Sequence, residues 1–166
     1  MKQLFLLRHA TAMPSSGGGD KERKLAHEGL IEAAALGVEM VKRHYHPAYV
    51  LCSPALRTRE TYAQLPFDAV PHEFPEGLYN SGARDLLAHI HAVDDKNSSV
   101  LVIAHNPGIY ELAASLCASG ESSMHNQLMN GFRPCTLAVM SCKAKSWKDV
   151  KFNDNELKDF LESRAY

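Results

Sequence analysis

Two arginines and two histidines stand where short apolar runs end. Arg8 and His9 close the run in LFLLRHATA, Arg57 follows the run in LCSPALRTRET, and His105 closes the run in VIAHNPG. Guanidinium forks pair bidentately with anions that carry several oxygens. Imidazole is the most versatile side chain at neutral pH: base, acid, metal ligand or nucleophile. A metal site is the natural rival for any histidine cluster in a chain with nine histidines. The spacing argues against it, because Arg8 adjoins His9 and no carboxylate or cysteine falls within the same motifs. A cation ligated among cations is electrostatically poor. The chemistry that suits all four residues is the handling of a phosphoryl group. A neutral imidazole nitrogen about 3 Å from phosphorus can attack in line, while the arginines neutralise the equatorial oxygens. No metal or other cofactor is required for that step.

These residues work together only if the chain brings them to one place. Leu4, Phe5, Leu6 and Leu7 form a continuous apolar run, the pattern of a strand buried on both faces of a parallel sheet. AYVLC and SSVLVIAH read as two further strands of that kind, DAVPHEF as an edge strand marked by Pro71, and CTLAVMSC as another strand. Between them lie helical patterns. Leu30, Ala33, Ala34, Gly37, Val38 and Val41 make one apolar stripe, ending near KRHYHP. Ser53 followed by Pro54, and Asn106 followed by Pro107, read as N-cap and first helical residue of two more helices. The second of these runs through NPGIYELAASLCAS, ARDLLAHIHAV reads as a helix, and DNELKDFLES as a closing amphipathic helix. Strands alternating with helices imply an α/β chain, a single three-layer α/β/α sandwich over residues 1–166 with a mostly parallel central sheet. In such sheets ligands bind at the carboxyl ends of the strands, where Arg8, His9, Arg57 and His105 then gather with two helix N-termini.

Composition narrows the rest. Net charge is −1, so no basic field points to nucleic acid or an anionic membrane. No apolar run approaches the roughly 20 residues of a membrane helix, and the N-terminus lacks the features of a signal peptide. Cys52, Cys117, Cys135 and Cys142 are scattered without a CxxC pair and read as reduced thiols of a cytoplasmic protein. MPSSGGGDKER lacks the ending of a nucleotide-binding P-loop and reads as a mobile loop. The pairs His44/His46 and His89/His91 have a spacing that sends them to different sides of a helix, and with His27 and His72 they read as surface residues.

LFLLRHATA, LCSPALRTRET and VIAHNPG resemble, in order and context, the three signatures of the histidine phosphatase (phosphoglycerate mutase-like) superfamily. The chain is most similar to its small SixA-like phosphohistidine phosphatases. DKERKLAHEG resembles their D-x-x-R-P-L-T-x-x-G segment, with Lys24 in place of proline and Ala26 in place of the capping Ser/Thr. The loss of that cap moves the expected start of the first helix to about Glu28. LAVMSCKAKSWKDVKF resembles the family's last strand and Trp-containing turn, and the likeness spans essentially the whole chain. The resemblance implies that His9 is the phosphorylated nucleophile, that Arg8 and Arg57 bind phosphoryl oxygens, and that His105 is the fourth pocket residue. Asn106 is a helix cap first and a pocket donor second; Trp147 and Tyr79 read first as packing residues, with Tyr79 having a claim to the pocket rim because its loop resembles the substrate-side loop.

Larger relatives place a glutamate to protonate an alkoxide leaving group, and Glu76 in FPEGLYNSG lies in about the right region. An ordinary solvated loop residue explains it equally well. An alkoxide needs such an acid, whereas the imidazole of a phosphohistidine leaves more readily. The expectation is therefore a metal-independent phosphatase for phosphohistidine on a protein, such as a phosphotransfer domain. The alternatives are a phosphatase for a small phosphomonoester with Glu76 as acid, and a non-catalytic phosphoprotein-binding module.

Overall fold

The computed structural model describes residues 1–15 and 17–163. In chain order the strands are β1 (Lys2–Arg8), β2 (Tyr49–Cys52), β3 (His72–Glu73), β4 (Ser99–Ala104), β5 (Cys117–Gly120), β6 (Thr136–Cys142) and β7 (Asn155–Glu162). The helices are α1 (His27–Lys42), α2 (Leu56–Ala63), α3 (Ala83–His91), α4 (Gly108–Leu116) and α5 (Ser122–Met129). One sheet has the order β3-β2-β4-β1-β6-β7-β5. Its first four strands are parallel, β6 runs antiparallel to β1 and to β7, and β5 is parallel to β7.

The apolar runs are continuous because both faces of β1 and β4 are covered. Leu4, Leu6, Val100 and Val102 pack in one cluster with Leu86 and Ile90 of α3 and Ile109 and Leu112 of α4. Phe5, Leu7, Leu101 and Ile103 pack in another with Ala33, Leu36 and Met40 of α1 and Tyr62 of α2. Trp147 closes the first cluster, fully buried, with its indole N–H donating to the Asn97 carbonyl at 2.7 Å. All four cysteines are free and buried.

Several elements differ from the sequence expectation. The segment read as a closing amphipathic helix is strand β7. Its register against β6 slips between Val139 and Met140, so Asp159 pairs with Val139 while Leu157 pairs with Met140. The bulge at Lys158 interrupts the alternation and leaves Leu157, Phe160 and Leu161 buried at i, i+3 and i+4, a helical spacing produced by a strand. Helix α4 stops at Leu116, and the next four residues pair with β7 as β5 instead of continuing the helix. Helix α5, which buries only Leu128, had no apolar stripe to announce it.

Helix α1 starts at His27, one residue earlier than expected, and presents a rotated face. Gly29, Ala33, Leu36, Gly37 and Met40 are buried, whereas Ala34, Val38 and Val41 of the expected stripe are exposed. Part of the Gly/Ser-rich loop expected to be mobile, residue 16, lies outside the described residues.

Neither expected cap is used. Helix α2 begins at Leu56 after Ala55, and α4 at Gly108 after Pro107, so Ser53 and Asn106 are free for other partners. Gly108 is required by proximity, since a Cβ there would lie 1.9 Å from the Ser81 carbonyl oxygen. Gly108→Ala should therefore cost about 1–3 kcal/mol in a urea denaturation series, the usual range for overpacking. An unchanged midpoint would show that the α3–α4 approach is looser than described.

Candidate active site

The strand register makes the site. Arg8 pairs with Ala104 and Cys52 with Ile103, so β1, β2 and β4 end level. The His9 N–H donates to the Ala104 carbonyl at 3.2 Å and the Ser53 N–H to the Ile103 carbonyl at 3.0 Å. His9, Ser53 and His105 thus leave the sheet side by side, with the two imidazole centroids 5.3 Å apart.

His9 is nearly buried, and its Nδ1 lies 2.7 Å from the Ala10 carbonyl oxygen. A carbonyl only accepts, so Nδ1 carries the proton and Nε2 keeps its lone pair. Burial pushes the His9 pKa down to about 3, and nearby His105, Arg57 and Arg8 push the same way. At neutral pH the ring is uncharged. Its segment is held from below, where the Ala10 N–H donates to Thr61 Oγ1 at 3.0 Å and that hydroxyl donates to the Arg57 carbonyl at 2.8 Å.

His105 sits opposite, with Nε2 2.7 Å from the buried Ser53 hydroxyl. Ser53 Oγ also receives a long 3.4 Å bond from the Ala55 N–H, and among the described residues His105 Nε2 is the one acceptor its own proton can reach. The proton of His105 then sits on Nδ1, a buried atom with no protein partner among the described residues. Burial, followed by Arg57, lowers the His105 pKa to about 4.

Arg57, the second residue of α2, is only 5% exposed. Nη1 donates to the Asp20 carbonyl at 2.7 Å and Nη2 to Asp20 Oδ2 at 3.0 Å. Asp20 also receives the Tyr79 hydroxyl at 2.5 Å and Arg23 Nη1 at 3.1 Å. The Tyr79 bond, then those from Arg23 and Arg57, hold the Asp20 carboxyl far below the usual carboxylate range. Arg8 Nη1 donates to the Phe132 carbonyl at 2.9 Å, and Asn106 Nδ2 donates to the same oxygen at 3.0 Å. The Nε atoms of Arg8 and Arg57 are buried without a protein partner among the described residues.

These side chains line a cleft of about 440 Å³ formed by Arg8, His9, Asp20, Arg23, Arg57, Tyr79, Asn80, His105 and Asn106. No protein-family model matches the chain. An uncharacterised protein of Mycobacterium tuberculosis H37Rv is 33% identical over 149 residues, 87% of this chain and 92% of that protein. A solved structure from Nakamurella multipartitia, assigned as phosphohistidine phosphatase SixA, is 30% identical, with a TM-score of 0.85 over 98% of this chain and 96% of that one. A second, similarly assigned, from Agrobacterium tumefaciens, is 28% identical, with a TM-score of 0.81 over 97% and 98% of the two chains. The chain belongs to the histidine phosphatase superfamily, in its SixA-like branch.

Within this histidine phosphatase, five of the six site residues read from the sequence meet at the cleft: Arg8, His9, Arg57, His105 and Asn106. Glu76 does not. Its side chain is 76% exposed and paired with Lys21 at 2.6 Å, outside the lining residues. Ser53, Asp20 and Arg23 were missed. Asp20 and Arg23 are the D and R of the DKER segment, and only the likeness to D-x-x-R marked them. Ser53 was hidden by its plausibility as a helix cap.

The other histidines singled out stand apart: His27, His44, His46 and His72 are exposed, while His89 and His91 bond the carbonyl oxygens of Asp85 and Val150. Among the described residues no group of three or more His, Cys, Asp or Glu side chains could hold a metal ion. Among the described residues no helix is long and apolar enough to cross a membrane.

Two measurements check this geometry. The unfolded chain protonates His9 near pH 6.5 but the folded chain only near 3, so between those values the unfolded state binds more protons. Stability should fall as pH drops below 6.5, and less steeply in His9→Asn, when urea midpoints are compared from pH 7.5 to 4.5. Nitrogen NMR of His105 should show the Nδ1–H tautomer in the wild type and a mixture in Ser53→Ala.

Proposed function

We propose that the protein dephosphorylates phosphohistidine on another protein, such as a phosphotransfer domain of a signalling relay, through a phosphoryl intermediate on His9. The observation that carries this reading is an uncharged imidazole with a free Nε2 in one cleft with buried N–H groups of Arg8, Arg57 and His105 that have no protein partner among the described residues. Buried donors without acceptors are costly, and a phosphoryl group supplies three oxygens to them.

In the first step the His9 Nε2 lone pair forms a bond to phosphorus. The bond from phosphorus to the substrate ring nitrogen breaks, and its electron pair returns to that ring. Arg8, Arg57 and His105 Nδ1–H neutralise the oxygens of the transferring group. In the second step water attacks phosphorus, the bond to Nε2 breaks with its pair returning to His9, and both water protons leave with inorganic phosphate. The site bases are at the floor of the cleft, while Asp20 and Asn80 at its mouth are exposed, which suits a phosphorylated side chain presented by a macromolecule.

The position of Glu76 supports the choice of substrate. An ester leaving group needs a positioned acid worth about 10²–10⁴ in rate, and Glu76 faces Lys21 instead. The test is phosphate release, in chelator, from a histidine-phosphorylated phosphotransfer domain. His9→Ala should lose about 10³-fold or more, and Glu76→Gln should stay within about threefold of wild type. Full activity in His9→Ala would overturn the covalent route, and a loss of about 10²-fold in Glu76→Gln would restore that residue as the acid.

A further inference from the structure

A carboxylate is an odd occupant of a cleft built to hold an anion, yet Asp20 lines it. It is the single carboxylate among the cleft residues, and its charge opposes any phosphoryl group beside it. Its position is not accidental. Arg57, Arg23 and Tyr79 all donate to it, and Arg57 also holds its backbone carbonyl. An ionised carboxylate has about four acceptor positions. Arg23 takes one on Oδ1 and Arg57 and Tyr79 take two on Oδ2, so one on Oδ1 remains, on a side chain that is 47% exposed toward the mouth.

We infer that Asp20 is the specificity-determining residue of this site, using that remaining acceptor position to receive the ring N–H of the substrate phosphohistidine. The inference rests on the proposed phosphohistidine phosphatase activity. A phosphorylated imidazole carries a proton on its second nitrogen when protonated, and only then does it leave as neutral imidazole once the P–N bond breaks. A facing carboxylate favours that protonated form. Asp20 donates no proton. The substrate ring keeps its N–H throughout, and the electron pair of the broken bond neutralises the ring. A phosphate ester has no such cation, so for an ester the carboxylate holds Arg57 and repels the phosphoryl group but gains no hydrogen bond from the substrate.

The experiment compares wild type, Asp20→Asn and Asp20→Glu on a histidine peptide phosphorylated with phosphoramidate and on p-nitrophenyl phosphate. In Asp20→Asn, the ratio of kcat/KM for the phosphohistidine peptide to that for the aryl ester should fall about 10- to 100-fold, beyond any loss the two substrates share through the Asp20–Arg57 contact. Asp20→Glu should recover part of the lost selectivity. The alkaline limb of the phosphohistidine pH profile should move to lower pH in Asp20→Asn, with no matching move for the ester. The charged and titratable groups around the carboxylate, Arg23, Arg57 and Tyr79 bonded to it and Arg8, His9 and His105 across the cleft, are the same in both assays. Equal losses on both substrates, or no loss on either, would overturn the role of Asp20 while leaving the phosphatase reading intact. A wild-type enzyme that hydrolyses neither the phosphohistidine peptide nor a histidine-phosphorylated phosphotransfer domain would overturn both.

Discussion

Six consecutive parallel pairings between β1 and β4, from Gln3–Ser99 to Arg8–Ala104, set the distance between the two imidazoles. Every other feature of the site is arranged around that register. The residue after each strand is a histidine, and β2 ends level with them to contribute Ser53. A one-residue slip would turn every side chain of a strand to the other face and empty the cleft of one ring. The continuous apolar runs of β1 and β4, packed on both faces, make such a slip unaffordable. Core and catalysis are therefore coupled through the strands themselves.

The second constraint is electrostatic. Two imidazoles are buried beside two guanidiniums, and burial together with the neighbouring positive charge keeps both rings neutral. Neutrality is what the proposed attack of His9 on phosphorus needs. It also leaves the arginines as the permanent charges of the site, which Asp20 and the carbonyls of Asp20 and Phe132 partly balance. Each imidazole has one nitrogen committed to the protein, Nδ1 of His9 to Ala10 and Nε2 of His105 to Ser53, and one without a protein partner among the described residues.

Much of this was legible in the sequence, because it depends on strand ends. The runs ending at Arg8 and Ala104 are apolar on both faces, so their termini were unambiguous, and the residues following them had to reach the carboxyl edge. The likeness to the three family signatures named the same positions. What was not legible depended on contacts between distant segments. Ser53 looks like a cap until His105 is placed beside it, and Asp20 and Arg23 join the cleft only because the loop before α1 folds back onto α2. β7 was misread because a single bulge converts its alternation to a helical spacing, and α1 was rotated because its exposed face also carries apolar residues, Ile31, Ala34, Val38 and Val41. Composition could not distinguish these cases, since the deciding partner lies elsewhere in the chain.

The central claim is that the phosphoryl group passes through His9. The direct measurement is rapid-quench trapping under alkaline conditions during turnover of a phosphohistidine protein, followed by mass mapping of the enzyme. The account predicts an acid-labile phosphoryl group on His9, formed and lost at rates that match turnover. Turnover at the same rate with no phosphorylated His9 at any time point would contradict it.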